Sequence, residues 1–552
     1  MLTQKTTTAL HLHYRIPTIE SKTGVGMLLR CIIYGFLLPL IAATWASDDL
    51  LLSDRRFDEG ILGTFHEQLV KEVKVVAEET EDSKGLQEYA PIRNTISQSG
   101  LQYYLFNVNA STGLGEYFEY LVFVTGNICL QPLDLASSNN NSLVVYYSFN
   151  SLMLADLENS QMGLFNNGYF QALAEVSVSA TNLVLYIAVQ APQSTNLTDT
   201  WAYEIGVSQN DLVYQWDSRL FVEVVDTDYQ SALIATGNLT LVTGNHNVSE
   251  YNTSLSSYQL LVFDYSQKDY FTTLNESWCA VKNGPSLSFS GDYVTSYTTR
   301  GGYLRQQFHV SGLNASTKYV GYLLSDNKEV EGSAHGGVLY LQFEFETMSN
   351  DACKLVYDLD FCDEVAYSVP ALLLAEYNST DALKVLYDDH TRNLFGNFSK
   401  ALQQIACNTT KDAIFSPLGS CEKCSALYKN WLCSVSIPRC STRNVTGYLL
   451  RNSTASRNEF IDTTVLPSAD YFEVLPCVNV CQVMTRDCPA EFGFTCPQSN
   501  STIKLSYYWD DGGEYASCNF VGVPLIVSNA AYMVKAAGKL FLASIAFFMM
   551  TV

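Results

Sequence analysis

The chain has 552 residues, 32 of them basic and 56 acidic, for a net charge of -24, with 12% aromatic and only 16% charged residues. That length holds roughly two to four domains, and that apolar and aromatic content excludes a disordered acidic chain. The negative surplus argues against nucleic-acid binding, since it repels phosphate.

Residues 27–46 read MLLRCIIYGFLLPLIAATWA, with Arg30 at the front and Thr44 and Ala46 just before Ser47. A positive flank, a short apolar run and a small-x-small site predict a secretory signal peptide over 27–46. A membrane anchor is the other reading, although the run is short for a span. Residues 1–26 then form an N-terminal extension, with Met27 as an alternative start. Ile61, Phe65, Leu69, Val73 and Val76 recur at helical spacing and predict one amphipathic helix over 56–85, inside a helical lead-in, 47–89.

From 90 to 350 the texture changes to short β-branched and aromatic runs, such as LVVYYSF at 143–149 and GVLYLQFEF at 337–345. Asn, Gly, Ser and Asp clusters separate them. This predicts an all-β region of one or two sandwiches, with a possible seam near 215–230. Cys129 and Cys279 are the only cysteines there, and pairing them would tie its halves together. No run reaches transmembrane length, which argues against a multi-span channel.

Residues 351–520 are helical in texture and hold twelve of the chain's fifteen cysteines. Cys31 falls in the signal peptide, which leaves fourteen, an even number that predicts disulfides in a secreted chain. The fold class is therefore α+β multidomain. Fourteen N-x-S/T sequons point to the same compartment: Asn109, Asn140, Asn196, Asn238, Asn247, Asn252, Asn275, Asn314, Asn378, Asn397, Asn408, Asn444, Asn452 and Asn500.

In the tail, 521–552, small residues around Ser528 and Asn529 precede a spacer with Lys535 and Lys539. The apolar run LFLASIAFFMMTV follows at 540–552. That order predicts lipid-anchor attachment at Ser528 or Asn529; a short tail helix on the membrane is the alternative. Without 1–46 and 530–552 the chain keeps 26 basic and 55 acidic residues.

No catalytic motif stands out. The seven histidines include no H-E-x-x-H pair, and there is no P-loop or G-x-S-x-G. Cys421-x-x-Cys424 suits a structural disulfide role better than zinc or redox chemistry in so cysteine-rich a stretch. Asp226 with Asp228, and Asp358, Asp360 and Asp363, are acidic groupings expected by chance among 56 acidic residues. The chain reads as no enzyme, with no metal and no cofactor.

The segment YKNWLCSVSIPRC, 428–440, closely resembles the hallmark of the fungal stretch-activated calcium-channel component, the Mid family. Its layout, a signal peptide, a glycosylated β-rich ectodomain and a C-terminal cysteine-rich region, matches after residue 27. Animal relatives are accessory subunits of the sodium-leak channel. The cysteine segment also looks like a Frizzled-type domain: steps from Cys424 to Cys433, Cys440, Cys477, Cys481 and Cys488 are 9, 7, 37, 4 and 7. The Frizzled pattern implies Cys353–Cys440, Cys362–Cys433, Cys424–Cys488, Cys477–Cys518 and Cys481–Cys496, and leaves Cys407–Cys421 as an extra pair. The long insertion, 441–476, and the short step from Cys488 to Cys496 depart from it. Cysteines seven apart, Cys433 with Cys440 and Cys481 with Cys488, would rivet two helices along a shared stripe.

The resemblance implies an extracellular accessory subunit on a four-repeat, voltage-gated-type calcium-channel α subunit at the plasma membrane. It would serve calcium entry under stretch, mating or stress without a pore of its own. Tyr428, Trp431, Ile437, Pro438 and Arg439 are candidate partner contacts of the hot-spot kind. The alternatives are a surface receptor that binds a lipid or protein ligand through the Frizzled-like domain, with an apolar groove in 353–518, or an anchored cell-wall carbohydrate enzyme with two converging carboxylates in the β region.

Overall fold

Alternating aromatic and β-branched runs become strands, and the turn-rich segments between them become connections. The computed structural model describes residues 83–108, 120–132, 142–176, 183–194, 196, 198–240, 258–284, 293–326, 336–371, 379–405, 420–509 and 518–522. All belong to one compact unit, Ala77–Val552. The signal peptide, the tail with Ser528 and Asn529, and nearly all of the expected lead-in helix lie outside them.

Nine strands come first: β1 (Ser83–Leu86), β2 (Ile92–Ser97), β3 (Leu101–Asn107), β4 (Tyr120–Leu130), β5 (Val144–Ser148), β6 (Gln161–Leu164), β7 (Tyr169–Val176), β8 (Val184–Gln190) and β9 (Thr200–Ser208). They form one sheet in the order β1-β3-β8-β5-β6 and another in the order β2-β9-β4-β7. β1 corrects the end of the expected helix, because Ser83–Leu86 pairs in parallel with Tyr103–Phe106 instead. The two sheets share one core, in which Tyr104, Val145 and Ile187 meet Val124, Trp201 and Ile205. The Tyr104 and Tyr203 hydroxyls meet across it at 2.7 Å.

The next elements are β10 (Tyr214–Asp217), β11 (Val222–Thr227), β12 (Ser231–Thr236), β13 (Tyr258–Asp264), α1 (Trp278–Asn283), β14 (Tyr293–Thr298), β15 (Arg305–Ser311), β16 (Lys318–Asp326), β17 (Gly337–Tyr340) and β18 (Phe343–Glu346). One sheet runs β10-β17-β16-β13 with β18 added on β16, and the other β11-β12-β15-β14. Ile234 and Phe308 of the second meet Leu323 and Phe343 of the first in a shared core. The expected seam at 215–230 holds two strands, most of β10 and all of β11, built from the runs YQWD and VEVVDT. The chain leaves the first pair of sheets earlier, over 209–213, between β9 and β10.

α1 fastens the two pairs of sheets. The Trp278 N–H donates to Asn127 Oδ1 at 3.0 Å, and the Ser277 hydroxyl donates to the Ile128 carbonyl at 2.8 Å. Cys279 is disulfide-bonded to Cys129 beside them, with Cα atoms 5.0 Å apart.

The remaining elements are β19 (Cys353–Val356), β20 (Tyr367–Pro370), α2 (Thr380–Leu402), α3 (Cys421–Ser436), β21 (Arg439–Ser441), β22 (Leu449–Arg451), β23 (Tyr471–Val474), α4 (Val478–Asp487) and α5 (Asn500–Ser506). This region is mixed rather than purely helical: β19 and β20 form an antiparallel pair, and β21-β23-β22 form a small sheet. The pair covers the second side of β12. Every residue of β12 is buried, with Ala232 and Ile234 facing one core and Leu233 and Ala235 facing Leu355 and Ala366. Coverage on both faces explains why β12 is a continuous apolar run. Among the described residues, no helix is long and apolar enough to cross a membrane.

Candidate functional site in the cysteine-rich region

α3 begins where the Ser420 side chain accepts from the Lys423 N–H at 3.1 Å, an N-cap that satisfies a free helix donor. It ends at Ser436, ahead of Ile437 at φ -112, ψ 85. Pro438 causes that ending, since its ring disfavours helical geometry in the preceding residue. Cys440 therefore sits on β21 and Cys488 caps α4. This corrects the expected stripe of cysteines along two helices: Cys433 and Cys440 occupy different elements.

The structure joins Cys353 to Cys440, Cys362 to Cys433, Cys424 to Cys488, Cys477 to Cys518 and Cys481 to Cys496. Cys421 is also disulfide-bonded, and its expected partner Cys407 lies outside the described residues. Cys424–Cys488 fastens α3 to the end of α4, with Cα atoms 4.8 Å apart. Among the described residues, the one cluster with metal-ligand spacing is Cys129, Cys279 and Glu204. Its two sulfurs are bonded to each other, so no thiolate is available to a metal.

Three of the five candidate contact residues are internal. Ile437 and Arg439 are 0% and 4% exposed, and Pro438 is buried as well. They are corrected here from partner anchors to parts of the core. Tyr428 and Trp431 are half-buried. The Tyr428 ring stacks on Phe398 with centroids 3.7 Å apart, and burial pushes its hydroxyl above the ordinary range. The Trp431 indole N–H donates to the Tyr507 hydroxyl at 2.8 Å, which supplies the partner it lacks where the ring leaves water.

Arg439 bridges the cysteine-rich region and the sheet that ends in β11. Its guanidinium pairs with Asp226 Oδ2 at 2.8 Å, donates to the Val225 carbonyl at 3.1 Å and lies 5.4 Å over the Tyr367 ring. The Tyr367 hydroxyl in turn donates to the Ile437 carbonyl at 2.8 Å. Burial raises the Asp226 carboxyl, while Arg439 and the Thr227 and Ser368 N–H groups oppose the shift. Asp228 serves the same seam: it accepts from the Gln230, Ser231 and Leu355 N–H groups at 2.8, 2.6 and 3.1 Å. Deeper in the region, fully buried Glu473 is flanked by Arg451 and Arg457.

A groove of about 790 Å³ runs between β11, β18 and the chain after β21. It offers Glu223, Asp226, Glu344 and Glu346, but each faces a cation: Arg305, Arg439, the pair Lys268 and Lys318, and Arg443. Burial raises the Glu344 carboxyl, but hydrogen bonds from both lysines outweigh it and hold the group below its ordinary value. Glycoside hydrolysis needs a protonated acid and a second carboxylate turned to the same substrate. Asp358 and Asp363 are likewise engaged, by the Gln307 amide and by Lys429.

Of the sequons, Asn196, Asn314, Asn397, Asn444, Asn452 and Asn500 are exposed, and Asn238 and Asn275 are half-buried. Asn109, Asn140, Asn247, Asn252, Asn378 and Asn408 lie outside the described residues. Sequence reasoning missed the Arg439–Asp226 pair and the Glu473 centre. The one signal for the first was an arginine beside a cysteine in the hallmark run.

Two pairs of sheets joined by one buried disulfide, and tied through a buried ion pair to a region with disulfides of its own, define a strand-rich, disulfide-stapled protein. The family described as a stretch-activated Ca2+-permeable channel component matches residues 121–523. The chain belongs to that family. It is similar to the stretch-activated cation channel MID1 of Saccharomyces cerevisiae, 37% identical over 487 residues, or 80% of this chain and 87% of the relative. Similarity to the stretch-activated cation channel yam8 of Schizosaccharomyces pombe is 30% over 464 residues, covering 80% and 89%. A glycoside hydrolase domain from Streptococcus pneumoniae matches at 9% identity over 47% of this chain and 33% of that one, with a TM-score of 0.17, which carries no argument.

Proposed function

We propose that the chain is an extracellular accessory subunit of a plasma-membrane, four-repeat voltage-gated-type calcium channel, supporting calcium entry without a pore of its own. Family membership over residues 121–523 is the observation that carries this reading. The disulfide bonding of every described cysteine supports an oxidising compartment, and so a signal peptide at 27–46 and glycans at the sequons. In this reading two β-sandwiches lead into a Frizzled-like domain, Cys407 pairs with Cys421, and a lipid anchor at Ser528 or Asn529 holds the chain to the membrane. The cysteine-rich region meets the channel through its unglycosylated face. With Ile437, Pro438 and Arg439 inside the fold, other side chains of that face make the contact.

Affinity purification of the intact glycoprotein from membranes tests the proposal. Recovery of a four-repeat channel subunit is the expected result. A clean monomer, or one with glycosidase activity, would overturn it.

A further inference from the structure

An antiparallel sheet with one face on a core normally turns polar residues outward. The sheet β1-β3-β8-β5-β6 does not. Its inward residues, Tyr104, Val145 and Ile187 among them, fill the first core. The pairing register gives the opposite face. Tyr103 lies opposite Ala188, Ala188 opposite Tyr146, and Tyr146 opposite Met162. The next row runs Leu101, Gln190, Val144, Leu164. Both rows cross four strands without a charged residue. Met162 and Leu164 on β6 and Leu101 on β3 are 61%, 49% and 39% exposed, Ala188 between them is buried, and β6 stands at the end of the sheet.

The charge on the connection beside this face has one sign, and the exposed cation of the sheet, Lys84, stands on β1 at its opposite end. Residues 94–218 contain ten Asp and Glu and no Lys, Arg or His. Exposed Asp156 and Glu158 lie on the connection from β5 to β6, beside the two rows.

We infer that this face is a second protein-binding surface, separate from the cysteine-rich contact, and that its occupant is an apolar patch rimmed by Lys and Arg on a partner protein. Tyrosine, methionine and leucine without Lys at the centre are the composition of an interface core. The exposed carboxylates of Asp156 and Glu158 beside β6 select a cationic rim opposite. A second copy of this chain would set acid against acid. A lipid surface would need Lys or Arg beside the apolar rows, and this stretch has none.

Met162 is its own reporter, since peroxide oxidises methionine in proportion to exposure. Fully buried Met153 serves as the internal reference. Peptide-level oxidation is followed in the full-length glycoprotein, in its native membranes and after purification in detergent. Met162 is expected to oxidise at least ~10-fold more slowly in the membranes. Protection should be lost in about 1 M salt, which screens the rim. The Leu164→Glu variant should likewise expose Met162 in membranes while keeping its disulfides. Equal rates in both preparations would overturn the proposal. So would slow oxidation in the purified chain, which means that its own glycans or a second copy cover the face. Protection by vesicles of phosphatidylcholine and phosphatidylserine alone would assign the face to lipid and overturn it too. Met162 oxidation does not depend on which channel subunit co-purifies, so the two proposals fail separately.

Discussion

Arg439 and Asp226 are 213 positions apart in sequence and 2.8 Å apart in space. Removing one partner of a buried ion pair leaves the other charge without compensation. Arg439→Ala should therefore cost about 3–5 kcal/mol, read from the shift of a chemical denaturation midpoint. The double variant Arg439→Met with Asp226→Leu should recover most of that loss, because an apolar pair needs no desolvation. His309 and His390 set a pH dependence. Burial lowers both below the ordinary histidine value of 6.5, against a smaller opposing pull from Asp228 on His309. The unfolded chain then binds protons that the folded chain refuses, so stability falls as pH drops through 6.5 and the loss stops below the folded values. Replacing both histidines with Phe should flatten that slope, as measured by thermal unfolding between about pH 7 and pH 5.

At the scale of elements, Cys424–Cys488 is what keeps α3 on α4. Replacing both cysteines with Ser should destabilise the region by roughly 2–5 kcal/mol, seen as early loss of helical signal on heating. Gly321 on β16 is a point of close approach, because a methyl group there would run into the Phe343 ring. Gly321→Ala should cost about 1–3 kcal/mol by overpacking, measured the same way. Much of the element pattern was legible in the sequence. Runs such as YQLLVFDY and GVLYLQFEF became β13 and β17–β18, since their alternation matches a pleated strand half-sunk in a core. The end of α3 was also written in Pro438, but cysteine spacing obscured it. What local pattern could not reveal is cover: nothing near β12 says that the pair β19–β20 will close its second face. Nor could it show that Ile437 and Arg439, which read as exposed anchors, point into packing supplied from residues 225–228 and 367.

Over the whole molecule, the sequence announced cysteines, sequons and a negative surplus, but not how the parts are joined. The joints are made by residues far apart along the chain, and Cys129–Cys279 spans 150 positions. Under tension that bond becomes a mechanical bypass. Load entering at the N-terminal side passes from β4 straight into α1, and the residues between stay slack. A single-molecule pulling experiment on the oxidised chain should therefore lack the length of that loop. Reduction should release it as extra contour, about 3.5 Å per residue, or roughly 500 Å in all. In a family named for its response to stretch, such a bond keeps the two pairs of sheets moving as one body when the chain is pulled.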